Sequence, residues 1–362
     1  MLSAILFAIN IVLPNLILMG LGFFMQRQGK ISKTFIDETS KLVFNIALPC
    51  LLFFSVIQSH VDYMQQVNLI VAGLVVTLLL FFSAEAYAKK FIKKVEDKGV
   101  FVQGVFRSNM GIIGLATVSN AYGAQGVSIG AVYMGVLTLV FNILAVITLS
   151  RTVIDTSEPI SNDNTQVEPH SERKQHSVYH QQTIRQQQSI NQQQTCSVHI
   201  SRWMLLIKKM ITNPLIISLT VAFLYKTIAS SLSLPELPDV IIQTGELLSA
   251  LALPLALICA GATLDVRSML NLSGLSMQAS IGRIIVAPLL AVAIGLAFGL
   301  GGVHMGVLFL MVASPAAAAS YVMAKAMGGN EVLAANILAF TTVFSLFGMA
   351  IGAAILRGLG WL

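Results

Sequence analysis

Five apolar segments are followed, beyond a polar stretch, by five more that repeat their landmarks. Ala47-Leu48-Pro49 in the second segment returns as Ala252-Leu253-Pro254 in the seventh, 205 positions on. Ser108 and Gly123, at the start and end of the fourth, return as Ser314 and Gly329 in the ninth, 206 positions on. Five is an odd number, so a fused second copy must sit upside down relative to the first. Inverted pairs with interrupted helices are how many secondary transporters build a binding site at the bilayer midplane.

A spanning helix needs roughly 20 mostly apolar residues. Ten such stretches lie near 3–25, 36–57, 67–88, 102–120, 126–150, 211–230, 241–263, 276–299, 303–325 and 332–356. Together they leave no room for a sizeable extramembrane domain. The chain is 56% hydrophobic and 10% charged, whereas charge in a soluble protein runs near a quarter. The first stretch lacks a basic leader and a small-residue cleavage site, so it reads as a retained helix. Cys50, Cys196 and Cys259 have no ligand-like spacing, so neither a disulfide framework nor a metal site is expected.

A net charge of +6 does not point to nucleic acid, because the basic residues collect in alternate short loops. Arg27, Lys30 and Lys33 form one group, Lys89 to Lys98 another, and Lys208 and Lys209 a third. The loops between them, around 60–66, 120–125 and 300–304, hold no lysine or arginine. That asymmetry predicts a multi-pass protein of the cell membrane with both termini outside and the long polar loop in the cytoplasm.

The polar loop spans 152–202 and divides a first five-helix repeat, 1–151, from a second, 203–362. It carries the runs Gln186-Gln187-Gln188 and Gln192-Gln193-Gln194 and no apolar periodicity. Such composition is expected to be disordered and to act as a tether for the inverted half. His176, His180 and His199 lack the close pairing of a zinc site.

In hydrocarbon an interrupted helix persists only where protein buries it or a cavity adjoins it. Ser314-Pro315-Ala316-Ala317-Ala318-Ala319 sits inside the ninth segment. Serine suits an N-cap, proline the first helical position, and alanine the helix that follows. A fresh half-helix is therefore expected to start there. Ser108-Asn109-Met110-Gly111 is its counterpart in the fourth segment, with two candidate capping side chains and no proline. Two half-helix starts near the midplane would aim positive dipole ends at one spot, which favours an anion. The competing interpretation is a proline kink in one span and glycine packing in the other.

Pro49 and Pro254 occupy equivalent places, so each is expected to bend its span as shared architecture. Arg283, in the eighth segment, has Leu78 as its counterpart. It attracts an anionic substrate, pairs with an acid such as Glu246, or snorkels to the interface. Arg107 precedes the first break and suits either substrate attraction or a late-starting span. Of Asn15, Asn45, Asn109, Asn142 and Asn336, the break position singles out Asn109, and the others are expected to bridge helices. Phe and Met residues are expected to face lipid or pack rather than touch a ligand.

Phe106-Arg107-Ser108-Asn109-Met110-Gly111-Ile112-Ile113-Gly114-Leu115, ending at Tyr122-Gly123, resembles the fourth-helix crossing motif of the auxin efflux carrier family and its bacterial organic-acid permease members. Asn213-Pro214-Leu215-Ile216-Ile217 is similar to the opening of that family's sixth helix. Arg283 with Pro288 is similar to its eighth, and Ser314-Pro315 with Ala324-Lys325 to its ninth. The resemblance spans both apolar halves. Family members often carry proline near Ser108 and Ala116, and this chain does not.

The resemblance implies an all-α, ten-helix membrane protein with crossed, broken helices four and nine and elevator-like motion. It also implies that Asn109 touches substrate and Pro315 forms the crossing. The expectation is a secondary transporter of a small organic anion, with Ser108, Asn109, Gly111, Ser314, Pro315 and Ala316 at the site. Arg107, Arg283 and Glu246 are its candidate charge partners. Alternatives are a sodium-coupled organic-anion importer of the bile-acid symporter type, or a membrane receptor or scaffold. The expected partners are a small organic anion and the lipid bilayer, with a homodimer as the assembly considered. No cofactor, metal or enzymatic activity is expected, and the coupling ion is left open.

Overall fold

The computed structural model describes residues 2–58, 66–155, 214–232, 237–264 and 274–362. Most of the expected tether, with its histidines, Cys196, Lys208, Lys209 and Asn213, lies outside the described residues, as does most of the loop at 60–66.

Among the described residues every regular element is helical. In chain order these are α1 (Leu2–Arg27), α2 (Lys33–Ile57), α3 (Val67–Phe91), α4 (Val95–Phe106) and α5 (Leu115–Asp155). Then come α6 (Pro214–Leu232), α7 (Asp239–Ala262), α8 (Gly274–Ala297), α9 (Gly302–Ala313), α10 (Ala318–Ala326) and α11 (Glu331–Gly358). Among the described residues seven helices are long and apolar enough to cross a membrane. Helices satisfy their own backbone groups, which hydrocarbon demands.

Seven long helices, rather than ten, follow from how the chain is interrupted. The fourth and ninth apolar segments are each split. The fifth is joined to the second half of the fourth in one helix that bends at Gly123, where φ is 56° and ψ −144°. A side chain would clash in that conformation, so glycine is required there. The described part of the sixth segment is short.

Outer faces are apolar and exposed. On α1, Ile5, Leu13, Ile17 and Phe24 are exposed, while Ala8, Ile11, Val12 and Met19 are buried. Exposed apolar faces on several long helices suit contact with lipid, and the protein is an integral, multi-pass membrane protein. Inside, α1 packs on α7 and α11, α2 on α6 and α7, α3 on α4 and α8, and α8 on α9. The α1–α7 contact depends on two glycines. A Cβ on Gly22 would lie 2.0 Å from the Ile258 carbonyl oxygen, and one on Gly261 would lie 1.9 Å from that of Met19.

The two prolines expected to be equivalent are accommodated differently. Pro49 follows a π-helical turn at Val43–Ala47, and Pro288 follows another at Gly282–Val286. The wider turn relieves the clash of a proline ring with the preceding turn. Pro254 sits instead within the continuous helix α7.

Candidate functional site

Helices α4 and α9 are the most enclosed elements. Val100–Phe106 and Met305–Ala313 are buried without interruption. This enclosure allows backbone to leave the helix at their ends, because no lipid reaches the freed groups.

Helix α4 stops as Arg107 turns extended (φ −90°, ψ 103°), and Asn109 (φ −82°, ψ 61°) leads into a π-helical turn at Met110–Gly114. Helix α9 stops at Ser314 (φ −61°, ψ 152°), where the following proline disfavours the helical region and the interior offers the chain other partners. The next half-helix begins at Ala318, with Ala317 extended before it. This corrects the expectation that Ser314 caps and Pro315 opens that half-helix. Ser314 instead ends the preceding one, its hydroxyl donating to the Met311 carbonyl at 2.8 Å.

The two extended segments pair with each other. Asn109 N–H donates to the Pro315 carbonyl at 2.7 Å, and Ala317 N–H donates to the Arg107 carbonyl at 3.0 Å. Ser108 and Ala316 thereby form an isolated antiparallel bridge. Ala316 N–H donates outward to Thr341 Oγ1 at 3.1 Å. Beyond the bridge, first turns begin at Met110 and at Ala318, where amides have no carbonyl within their own helix.

A cavity of about 480 Å³ adjoins the bridge, with Arg107, Ser108, Asn109, Gly111 and Ala317 to Ala319 on its wall. A second, of about 580 Å³, shares Phe44, Asn109, Ile112 and Ala318 with it and continues to Asp37, Cys259 and Tyr321. The break therefore stands between two hollows whose walls are mostly apolar, with a few polar residues among them. Of the residues expected at the site, Ser108, Asn109 and Gly111 border the first hollow. Ser314, Pro315 and Ala316 are buried behind it, and Ala317, Ala318 and Ala319 take their place on the wall.

Arg107 is 6% exposed and has three neutral acceptors. Nη2 donates to Asn142 Oδ1 at 2.7 Å, and Nη1 donates to Gln103 Oε1 at 3.3 Å and Met323 Sδ at 2.8 Å. No carboxylate pairs with it among the described residues. Asn142 also borders the cavity, as do Phe44, Met134 and Phe141. The sequence marks Asn142 only as a helix bridge, and the Phe and Met residues as lipid-facing or packing positions. Their alignment on one wall depends on how α2 and α5 pack against the break, which local sequence does not reveal.

Arg283 is wholly buried, and Nη1 donates to the carbonyls of Val105 and Phe106, each at 3.0 Å. It neither snorkels nor pairs with Glu246. Glu246 accepts instead from Gln58 Nε2 at 2.8 Å, beside a third cavity of about 440 Å³ that Pro254 also lines. Thr341, which supports the bridge, gave no signal in the sequence. Among the described residues no group of three metal-ligating side chains comes together.

A bundle of apolar helices with two breaks paired in its interior invites comparison with carriers. The family described as membrane transport protein matches residues 7–352, nearly the whole chain. The chain belongs to that family. Membership agrees with the auxin efflux carrier resemblance carried by the motifs at 106–123, 213–217, 283–288 and 314–325. Relatives of this membrane transport protein include an uncharacterized transporter, YfdV, from Escherichia coli strain K12, 28% identical over 142 residues. Matches of the same extent occur in Escherichia coli O157:H7 and Shigella flexneri. The match spans 39% of this chain and 45% of the relative's length.

Proposed function

We propose that this membrane transport protein is a secondary transporter of a small organic anion, a carboxylate, bound beside the paired breaks. One observation carries the reading: Arg107 is a buried cation on the cavity wall with only neutral partners. A carboxylate about 4 Å from it would gain about 4 kcal/mol at an effective dielectric of 20. The half-helix starts at Met110 and Ala318 add positive dipole ends on the same side. Asn109, which borders both hollows, is the proposed ligand contact between them.

The proposed frame is ten spans in two inverted repeats, 1–151 and 203–362, joined by the 152–202 tether. Its support is the exchange symmetry of the packing: α1 on α7 mirrors α6 on α2, and α3 on α4 mirrors α8 on α9. The lysine-rich loops support a cytoplasmic tether with both termini outside. Alternating access then presents the site to each side in turn. For an anion leaving a cell that is negative inside, the membrane potential supplies roughly 2.3 kcal/mol per charge per 100 mV. Export therefore needs no coupling ion.

The test is thermal unfolding of purified protein against a panel of mono- and dicarboxylates, because a ligand that binds only the folded state raises its stability. At least one carboxylate is expected to raise the midpoint of the natural protein and not that of Arg107→Gln. A panel in which no carboxylate shifts the midpoint would sink the proposal.

A further inference from the structure

The two breaks solve the same capping problem by different means. A helix that stops leaves its last carbonyls without helical donors. At the end of α9 the Met311 carbonyl takes the hydroxyl of Ser314, three residues on. By repeat position the counterparts are Val105 and Ser108, 206 positions earlier in each case, but α4 ends one residue sooner, with Arg107 already extended. There the Val105 carbonyl accepts from Arg283, 178 residues away, and the same Nη1 holds Phe106 at a separation of 177. The Ser108 hydroxyl makes no hydrogen bond among the described residues and stands on the wall of the 480 Å³ cavity.

We propose that Arg283 is a positioning residue: by capping the Val105 and Phe106 carbonyls it lets α4 end at Phe106, one residue sooner than α9, so that Arg107 turns extended and the Ser108 hydroxyl is left to the cavity. Ser314, with no such competitor, is held against its own helix and is 0% exposed. The first repeat has Leu78 where the second has Arg283, so no cation is available to do the same for Ser314. One duplicated serine is thereby a cap and the other a candidate ligand. The capping argument stands on geometry alone, and the ligand role of Ser108 rests on the cavity being the binding site.

Ligand-free thermal unfolding separates these roles. Ser314→Ala loses the donor to the Met311 carbonyl and is expected to lower the midpoint by about 2 °C or more. Ser108→Ala is expected to leave it within about 1 °C, since that hydroxyl holds no carbonyl. In an Arg283→Met background α4 is expected to run on through Arg107, as α9 runs through Ala313, and Ser108 then takes the Val105 carbonyl, so Ser108→Ala should cost what Ser314→Ala costs. Arg283→Lys keeps a donor cation and should restore the indifference to Ser108→Ala. Equal losses from Ser108→Ala and Ser314→Ala in the natural protein would overturn the proposal, whether or not Arg283→Met folds. Additive effects of Arg283→Met and Ser108→Ala would overturn it as well. With the carboxylate that shifts the midpoint most, Ser108→Ala should reduce that shift. If no carboxylate shifts it, the transport reading fails, and the ligand-free comparisons still decide the role of Arg283.

Discussion

The Nη2 of Arg107 donates to Asn142 Oδ1 at 2.7 Å, joining the first break to the middle of α5 across the wall of one cavity. An asparagine oxygen orients the guanidinium without cancelling its charge. The cation is thus fixed in place, and its field remains available to whatever enters the hollow.

Replacing Arg107 tests that charge. Arg107→Gln is expected to weaken carboxylate binding by at least tenfold, while Arg107→Lys retains part of it because the charge stays but the fork geometry goes. Equilibrium binding on the purified variants measures both. Equal affinity in the glutamine variant and the natural protein would remove Arg107 from the site.

Asn109→Ala is expected to weaken binding of the same carboxylate without preventing folding. The backbone N–H of Asn109, which holds Pro315, is untouched by the change. A cooperative melt with a lower affinity is the expected pair of results, and unchanged affinity would count against a ligand role.

Thr341→Val tests the support of the break. Its hydroxyl accepts from the buried Ala316 N–H, and valine leaves that donor unsatisfied at nearly constant volume. A loss of about 1–3 kcal/mol is expected, read as a lower unfolding midpoint. A midpoint equal to that of the natural protein would show that Ala316 finds another acceptor.

Gly22→Val tests the α1–α7 contact. Its Cβ would sit 2.0 Å from the Ile258 oxygen, a backbone atom that yields only if the helices part. A large fall in folded yield is expected. Gly20→Ala on the same helix, where nothing lies within 4 Å of the new Cβ, should be indifferent. Similar yields for both substitutions would be evidence that the two helices are not in close contact.

The tether can be tested by deletion. Removing residues 155–198 should leave carboxylate binding in place, since every residue assigned to the cavity lies outside that range. Loss of binding with an intact melt would point to the receptor or scaffold reading.

The apolar runs, the helix stops near Ser108 and Ser314, and the family motifs were legible in the sequence because each is a local property. Hydropathy over about 20 residues marks a span, and proline disfavours the helical region for the residue before it, which Ser314 leaves although Leu48, Leu253 and Ala287 do not. The tertiary structure decided what the long polar side chains reach. Packing of α8 against α4 gives Arg283 two carbonyls rather than Glu246, and packing of α5 gives Arg107 the amide of Asn142. It also moved the start of the second half-helix from Pro315 to Ala318, because pairing with Arg107 and Asn109 holds Pro315 and Ala317 extended. Such partners lie far apart in the chain, and only the folded arrangement of helices sets the distances between them.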